Sequence, residues 1–173
     1  MTLTSEQLEA GLDAIRESPK DGGAVAMIVR RPAVGAREVL ESAELTTTDG
    51  LVGDRWGGKP GRSADCQINL MNARVVALVA GERDRWSLAG DQLFVDLDLS
   101  EANLPVGSRI AIGSAILEVT APPHTGCSKF AARFGMDARA FVNSRRHLRL
   151  RGINARVVRG GTIRVGDRVT KSP

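Results

Sequence analysis

Leu8, Leu12 and Ile15 recur at intervals of four and three behind Thr4 and Ser5, which predicts a short capped helix with one apolar stripe. Ser18-Pro19-Lys20-Asp21-Gly22-Gly23 stops it, so residues 1–23 read as an N-terminal helical extension packed on the body. From residue 24 the period shortens. Residues 24–30 form an apolar run ending at Arg30-Arg31-Pro32, most simply a buried strand. Residues 37–47 fit either period, and Thr46-Thr47-Thr48 with the Asp49-Gly50 turn favours the extended reading. Residues 66–71 predict another strand, and Asn72 caps a helix through Ala80 with Val75, Val76, Leu78 and Val79 inward. Residues 92–97 alternate in part as a strand. Residues 109–112 and 115–120 flank Gly113-Ser114 as a hairpin.

A short helix follows Cys127 and stops at Gly135, and Asp137 caps a second one through Asn143. Arg146-His147-Leu148-Arg149-Leu150-Arg151 alternates. That predicts a strand with Leu148 and Leu150 on one face and His147, Arg149 and Arg151 on the other. Residues 153–159 and 162–165 across Gly160-Gly161 predict a second hairpin, and residues 168–171 a last strand. Short strands punctuated by tight turns, with few helices, predict a mainly β fold. We expect a closed or nearly closed β-barrel over residues 24–173 with a few short peripheral helices.

The bulk properties narrow the function. A chain of 173 residues suits one domain with its own core. Aromatics are 3% of the chain and tyrosine is absent, which argues against the stacking platforms of nucleic-acid binders. Against 20 acidic residues the 24 basic ones leave a charge of +4, enough for an anionic ligand without singling out nucleic acid. Two cysteines make no disulfide framework, no leading apolar segment signals export, and no stretch approaches the ~18 apolar residues of a membrane span. The expectation is a cytoplasmic protein, off the membrane, with reduced thiols.

Candidate chemistry centres on Pro122-Pro123-His124-Thr125-Gly126-Cys127-Ser128-Lys129-Phe130. Cys127 stands where a rigid entry meets a helix start, with His124 before it and Lys129 and Arg133 after it. Helix N-termini and nearby cations favour the thiolate, the reactive form. An unpaired cysteine is also commonly a small core residue, and His124 fits either a solvated turn or a base for Cys127. Cys66 borders a strand without an adjacent cation and reads as structural. A zinc set of Cys66, His124, Cys127 and His147 lacks the close ligand pairs of structural zinc. There is no Gly-x-Ser-x-Gly elbow and no Walker or dinucleotide glycine motif. The loop over residues 50–62 holds five glycines with Asp54, Arg55, Lys59 and Arg62, and reads as a surface connection or a close-approach loop. Arg149 and Arg151 fit either an anion site or the wet face of a strand. A glycine after Arg151 favours a bulge beside a site.

The ordered set Gly50-Leu51-Val52-Gly53-Asp54-Arg55, Leu88-Ala89-Gly90-Asp91-Gln92-Leu93, residues 104–113, Leu117-Glu118-Val119-Thr120-Ala121-Pro122 with Cys127, and residues 151–158 with 161–167 resembles MOSC domains. The domain is named for the C-terminal part of molybdenum cofactor sulfurases, and the resemblance covers residues 24–171. It implies a β-barrel that handles sulfur or the molybdenum cofactor (molybdopterin), with Cys127 as persulfide carrier or molybdenum ligand. It also implies His124 beside Cys127, and Asp54, Arg55, Lys129, Arg133 and Arg151 around the cofactor. If the protein is an enzyme, the implied chemistry is sulfur transfer or molybdenum-dependent redox chemistry. No pyridoxal-phosphate site is identifiable, so the implied partners are a separate sulfur donor, such as a cysteine desulfurase, or a molybdenum-cofactor enzyme. Two features depart from the family pattern: Trp56-Gly57-Gly58 stands where a histidine-rich stretch is common, and Gly126 where proline often precedes the cysteine. The competing reading is a non-catalytic anion-binding module, RNA included, that uses the arginine-rich face of residues 145–159.

Overall fold

A computed structural model describes residues 2–173; Met1 of the expected 1–23 extension lies outside them. The extension holds two helices, α1 (Ser5–Ala10) and α2 (Leu12–Arg16), where one was expected. Thr4 caps α1 with a reciprocal box: the Gln7 N–H donates to Thr4 Oγ1 at 3.3 Å, and the Thr4 N–H donates to Gln7 Oε1 at 2.9 Å. Leu8, Leu12 and Ile15 are buried against the body.

The strands are β1 (Gly23–Arg30), β2 (Glu38–Leu40), β3 (Ser42–Thr46), β4 (Gly50–Leu51), β5 (Ile68–Asn72), β6 (Leu93–Asp96), β7 (Arg109–Ile112), β8 (Ala115–Val119), β9 (Ile153–Arg159), β10 (Gly161–Arg164) and β11 (Arg168–Ser172). Helix α3 (Ala73–Ala80) follows β5 with Asn72 as its cap, as expected; α4 (Ser128–Phe134) and α5 (Met136–Asn143) follow Cys127. Seven strands close a barrel in the order β1-β11-β7-β8-β9-β5-β6, because β1 pairs β11 at Gly23↔Val169 and β6 at Val25↔Val95. Closure removes the open edges that a sheet of this size would present. Among the described residues only β5 and β6 run parallel, joined through α3 and a 3-10 segment, Arg83–Ala89. β2 extends from β1, and β10-β3-β4 form a small second sheet.

β1 reads as a continuous apolar run because both its faces are covered. Val25 and Ile28 join the cluster that fills the barrel with Leu70, Val95 and Leu117. Met27 and Val29 join a second cluster between the wall and the helices, with Leu8, Val76, Phe130 and Phe134.

Three local readings are corrected. Residues 146–151 are not a strand: Arg146–Leu148 is a 3-10 turn set between Arg145 and Arg149, both left-handed at φ 48° and 49°. The 146–151 part of the arginine-rich face behind the anion- or RNA-binding reading is therefore not a strand, while Arg156 and Arg159 stay exposed on β9. β9 and β10 are not a hairpin; β9 pairs β8 and β5, while β10 pairs β3 at Thr162↔Glu44. Cys66 ends a 3-10 turn, and the strand starts at Ile68. Both cysteines are free. Among the described residues, no helix is long and apolar enough to cross a membrane.

Candidate functional site

The segment from β8 to α4 carries Cys127 and is tied down at both ends. At its entry, Asn154 of β9 donates from Nδ2 to the Pro122 carbonyl at 3.0 Å and accepts from Asn69 Nδ2 at 2.6 Å. At its exit, Asn143 grips the Gly126 residue twice. The Gly126 N–H donates to Asn143 Oδ1 at 2.7 Å, and Asn143 Nδ2 donates to the Gly126 carbonyl at 3.0 Å. That grip accounts for the departure at this position. Proline has no N–H to give, and a Cβ on Gly126 would sit 3.1 Å from Val142 Cγ2.

Cys127 itself is exposed and extended, at φ −95° and ψ −176°, immediately before α4. Its thiol closes no cap bond, yet its pKa is lowered. The Phe130 N–H leads, slight burial opposes it, and the Lys129 and Cys127 N–H groups and the Arg151 charge add to the lowering. The thiolate is thus favoured by backbone amides and one buried guanidinium. Lys129 is exposed on the first turn of α4.

Arg151 is only 5% exposed and lies beneath the loop. Its Nη1 donates to Asp91 Oδ2 at 2.7 Å and its Nη2 to the Ala89 carbonyl at 2.9 Å, while its guanidinium sits 5.0 Å over the Phe130 ring. The other Asp91 oxygen meets His124 Nε2 at 2.8 Å. Burial alone would raise the Asp91 pKa; Arg151 and then His124 more than offset it, and the carboxylate is held below its ordinary range. An ionised Asp91 accepts, so the proton of a neutral His124 ring sits on Nε2 and its Nδ1 is left as an acceptor. In the sequence, Asp91 stands out only through the resemblance of Leu88-Ala89-Gly90-Asp91-Gln92-Leu93. Asp91 has a partner 60 positions away, which no local pattern reveals.

The Gly-Asp-Arg loop is built around a second buried pair. Arg31 grips Asp54 through Nη2 to Oδ2 at 2.8 Å and Nε to Oδ1 at 3.0 Å, and its own N–H adds a bond at 2.7 Å. Arg31 also reaches Asn69 Oδ1 and the Gly90 carbonyl. Asp54 is buried with its oxygens occupied, so it fixes the loop, while the neighbouring Arg55 is exposed. A basic patch forms here. A Cβ on Gly90 would lie 3.7 Å from Arg37 Nη2 and 3.9 Å from Arg133 Nη1. The Arg37 pKa is lowered, first by burial, then by the charges of Arg133, Arg31 and Arg55. Arg37 and Arg133 bond only main-chain carbonyls, those of Ser87 and Ala36 and that of Leu88. Arg31 and Arg37 escaped the sequence reading; the Arg30-Arg31-Pro32 end of the first strand was the available signal.

The structure therefore brings Cys127, His124 and Arg151 into one network, and Arg55 and Arg133 into a neighbouring patch. Among the described residues, no three His, Cys, Asp or Glu side chains are grouped to hold a metal ion, so the zinc set is not assembled.

No curated protein matches the chain. Among solved structures it is similar to a hypothetical protein at 19% identity, with TM-score 0.61 over 91% of this chain and 70% of that one. It is similar to the YuaD protein from Bacillus subtilis at 18% identity, with TM-score 0.58 over 85% and 93% of the two chains. YiiM from Escherichia coli gives 19% identity and TM-score 0.58 over 87% of this chain and 70% of its own. At such identities the likeness is one of fold. The family assignment comes from the model for the MOSC domain, which matches residues 57–170, from the second half of the Gly-Asp-Arg loop through Cys127 to the closing strand: this chain belongs to the MOSC domain family.

Proposed function

We propose that this protein handles the molybdenum cofactor or its sulfur through Cys127. The observation that carries the reading is the exposed Cys127 with a lowered pKa, on a loop tethered by Asn154 and Asn143, together with Arg37 and Arg133, which among the described residues have no ion-pair partner within salt-bridge distance.

For sulfur transfer the step is an exchange. The Cys127 thiolate attacks the outer sulfur of a donor persulfide, a new Sγ–S bond forms, the donor S–S bond breaks, and the donor leaves as its thiolate. The proton stays on the transferred sulfur, and no external oxidant is needed. The chain favours the thiolate through backbone amides and the Arg151 charge, and a tethered loop aims it. Asp91 holds the His124 ring at Nε2 and fixes its orientation within the loop. The sulfur comes from a separate donor, which would dock over the exposed face of the loop.

The residues present also fit the cofactor. An exposed thiolate is a soft ligand for the metal. Arg55 and Arg133, with Arg37, provide charge for an anionic tail, and Lys129 adds one from α4. When bound, the cofactor supplies two-electron redox chemistry at molybdenum. Asp54 and Arg151 serve from below, the first by positioning the loop that bears Arg55, the second by biasing the thiol.

Native mass spectrometry after incubation with a small-molecule persulfide donor, and separately with molybdopterin, tests the reading. An adduct on the wild type that is absent from Cys127→Ser is expected. No adduct with either reagent, or the same adduct on Cys127→Ser, overturns it.

A further inference from the structure

A cavity lies on the far side of the Gly126 clamp, and neither Cys127, Arg55 nor Arg133 lines it. It encloses about 560 Å³, within the ~300–1,000 Å³ typical of small-molecule sites. Arg139 from α5 and Arg146 and Arg149 from the turn after it reach the cavity, against a single carboxylate, Glu101. None of the three arginines has an ion-pair partner among the described residues. Arg139 Nε donates to the Gly126 carbonyl at 3.2 Å, and Arg149 Nη1 to the Leu104 carbonyl at 2.6 Å. Three like charges converging in a half-enclosed space repel one another, the more so away from bulk water.

The chain goes to some trouble to place them. Arg145 and Arg149, the two ends of the turn, are the non-glycine residues with positive φ among the described residues, a conformation that costs each about 1 kcal/mol. Arg145 is bolted to Glu9 of α1 by two bonds at 2.7 and 2.9 Å, and Arg146 is left exposed at the rim. A second, independent feature is at the cavity wall. Arg151 lines it, is 95% buried by its 5% exposure, and its Nε is the one buried side-chain polar atom without a partner among the described residues. Buried donors are rarely left unpaired without a reason. Pro122, Val142 and Ile153 give the same cavity an apolar wall.

We propose that this cavity binds a small organic phosphomonoester, its apolar body against Pro122, Val142 and Ile153 and its dianionic head on Arg139, Arg146 and Arg149. Three cations against one carboxylate call for two negative charges, and planar guanidinium forks match phosphate oxygens. The inference goes beyond the role given to Cys127 and stands without it. Because His124 and the Gly126 peptide form part of the wall, a ligand seated there would contact the loop that carries the thiol.

Titration calorimetry of the full chain with phenyl phosphate, and with benzyl alcohol as its neutral counterpart, tests the proposal. Phenyl phosphate binds and benzyl alcohol does not. Arg146→Glu, whose side chain is exposed and unpaired, weakens binding at least tenfold with an unchanged melting temperature, and Arg139→Gln weakens it in the same sense. Cys127→Ser binds as the wild type does, so failure of the thiol chemistry and failure of this site give different results. Absence of phenyl phosphate binding, equal binding by Arg146→Glu, or equal binding of the neutral compound overturns it. Stoichiometric displacement of phenyl phosphate by molybdopterin also overturns it, since the cavity would then be the cofactor's own seat.

Discussion

Arg151 and Asp91 meet at 2.7 Å with both side chains nearly sealed from solvent, at 7% and 0% exposure. The pair links the turn before β9 to the segment before β6, and both partners reach outward from it. Asp91 holds His124, and the Arg151 charge acts on Cys127. Removing one member strands the other's charge in a dry site. Asp91→Ala is expected to lower unfolding free energy by about 3–5 kcal/mol, read from urea midpoints. A double replacement, Asp91→Leu with Arg151→Met, should recover much of that loss. A cost for Asp91→Ala below about 1 kcal/mol, the range of a surface pair, would show that the two are not coupled as described.

Arg151 also stabilises the anionic form of Cys127. Removing its positive charge disfavours the thiolate, so Arg151→Gln should move the pH midpoint of Cys127 alkylation by iodoacetamide upward. Lys129→Gln is expected to leave that midpoint nearly in place, because the Lys129 contribution comes from its backbone N–H. The opposite ranking of the two variants would return the control of the thiol to the exposed lysine.

What was legible in the residues is local in origin. Asn72 before an apolar run, Thr4 ahead of the Leu8, Leu12 and Ile15 stripe, and Gly113-Ser114 between two short runs each act through neighbours, and each stands where expected. Cys127 at a helix start is of the same kind. The misses involve partners far along the chain. Gly160 and Gly161 look like a hairpin turn, but β10 finds its mate in β3, more than a hundred residues earlier. Residues 146–151 alternate as a strand does, yet left-handed Arg145 and Arg149 fold them into a turn that serves the cavity. Periodicity carries no record of the buried partners of Asp54 and Arg151, which are Arg31 and Asp91.

Acid stability should report those buried carboxylates. Burial would raise Asp54 and Asp91, but Arg31 in one case and Arg151 with His124 in the other hold both below the ordinary carboxylate pKa of about 3.9. As pH falls, the unfolded chain takes up protons first. Their stabilisation is complete above about pH 5 and is lost as pH drops through the unfolded and then the folded pKa. Denaturation midpoints measured from pH 7 to pH 2 should therefore fall steeply below about pH 4. Asp54→Asn should be less stable at pH 7 and flatter across the acid limb. An acid limb unchanged by that substitution would count against the Arg31 pairing.

Gly152 and Gly107 separate backbone strain from steric exclusion. Both lie at positive φ, 116° and 90°. A Cβ on Gly107 would meet nothing within 4 Å, whereas one on Gly152 would sit 2.1 Å from the Leu70 carbonyl oxygen and 3.3 Å from His124 Cδ2. Backbone cannot yield there, because Leu70 pairs with Ile153 in the barrel wall. Gly107→Ala should cost about 1–2 kcal/mol, the strain of a left-handed alanine. Gly152→Ala adds the clash and is expected to exceed about 4 kcal/mol or to abolish soluble expression. It should also unseat His124 from Asp91, so a weakly folded Gly152→Ala would show an altered imidazole signal by NMR while Gly107→Ala would not. Equal urea midpoints for the two variants would mean that β9 has room to move at Gly152, and the close crossing of Arg151 beneath the Cys127 loop would lose its structural basis.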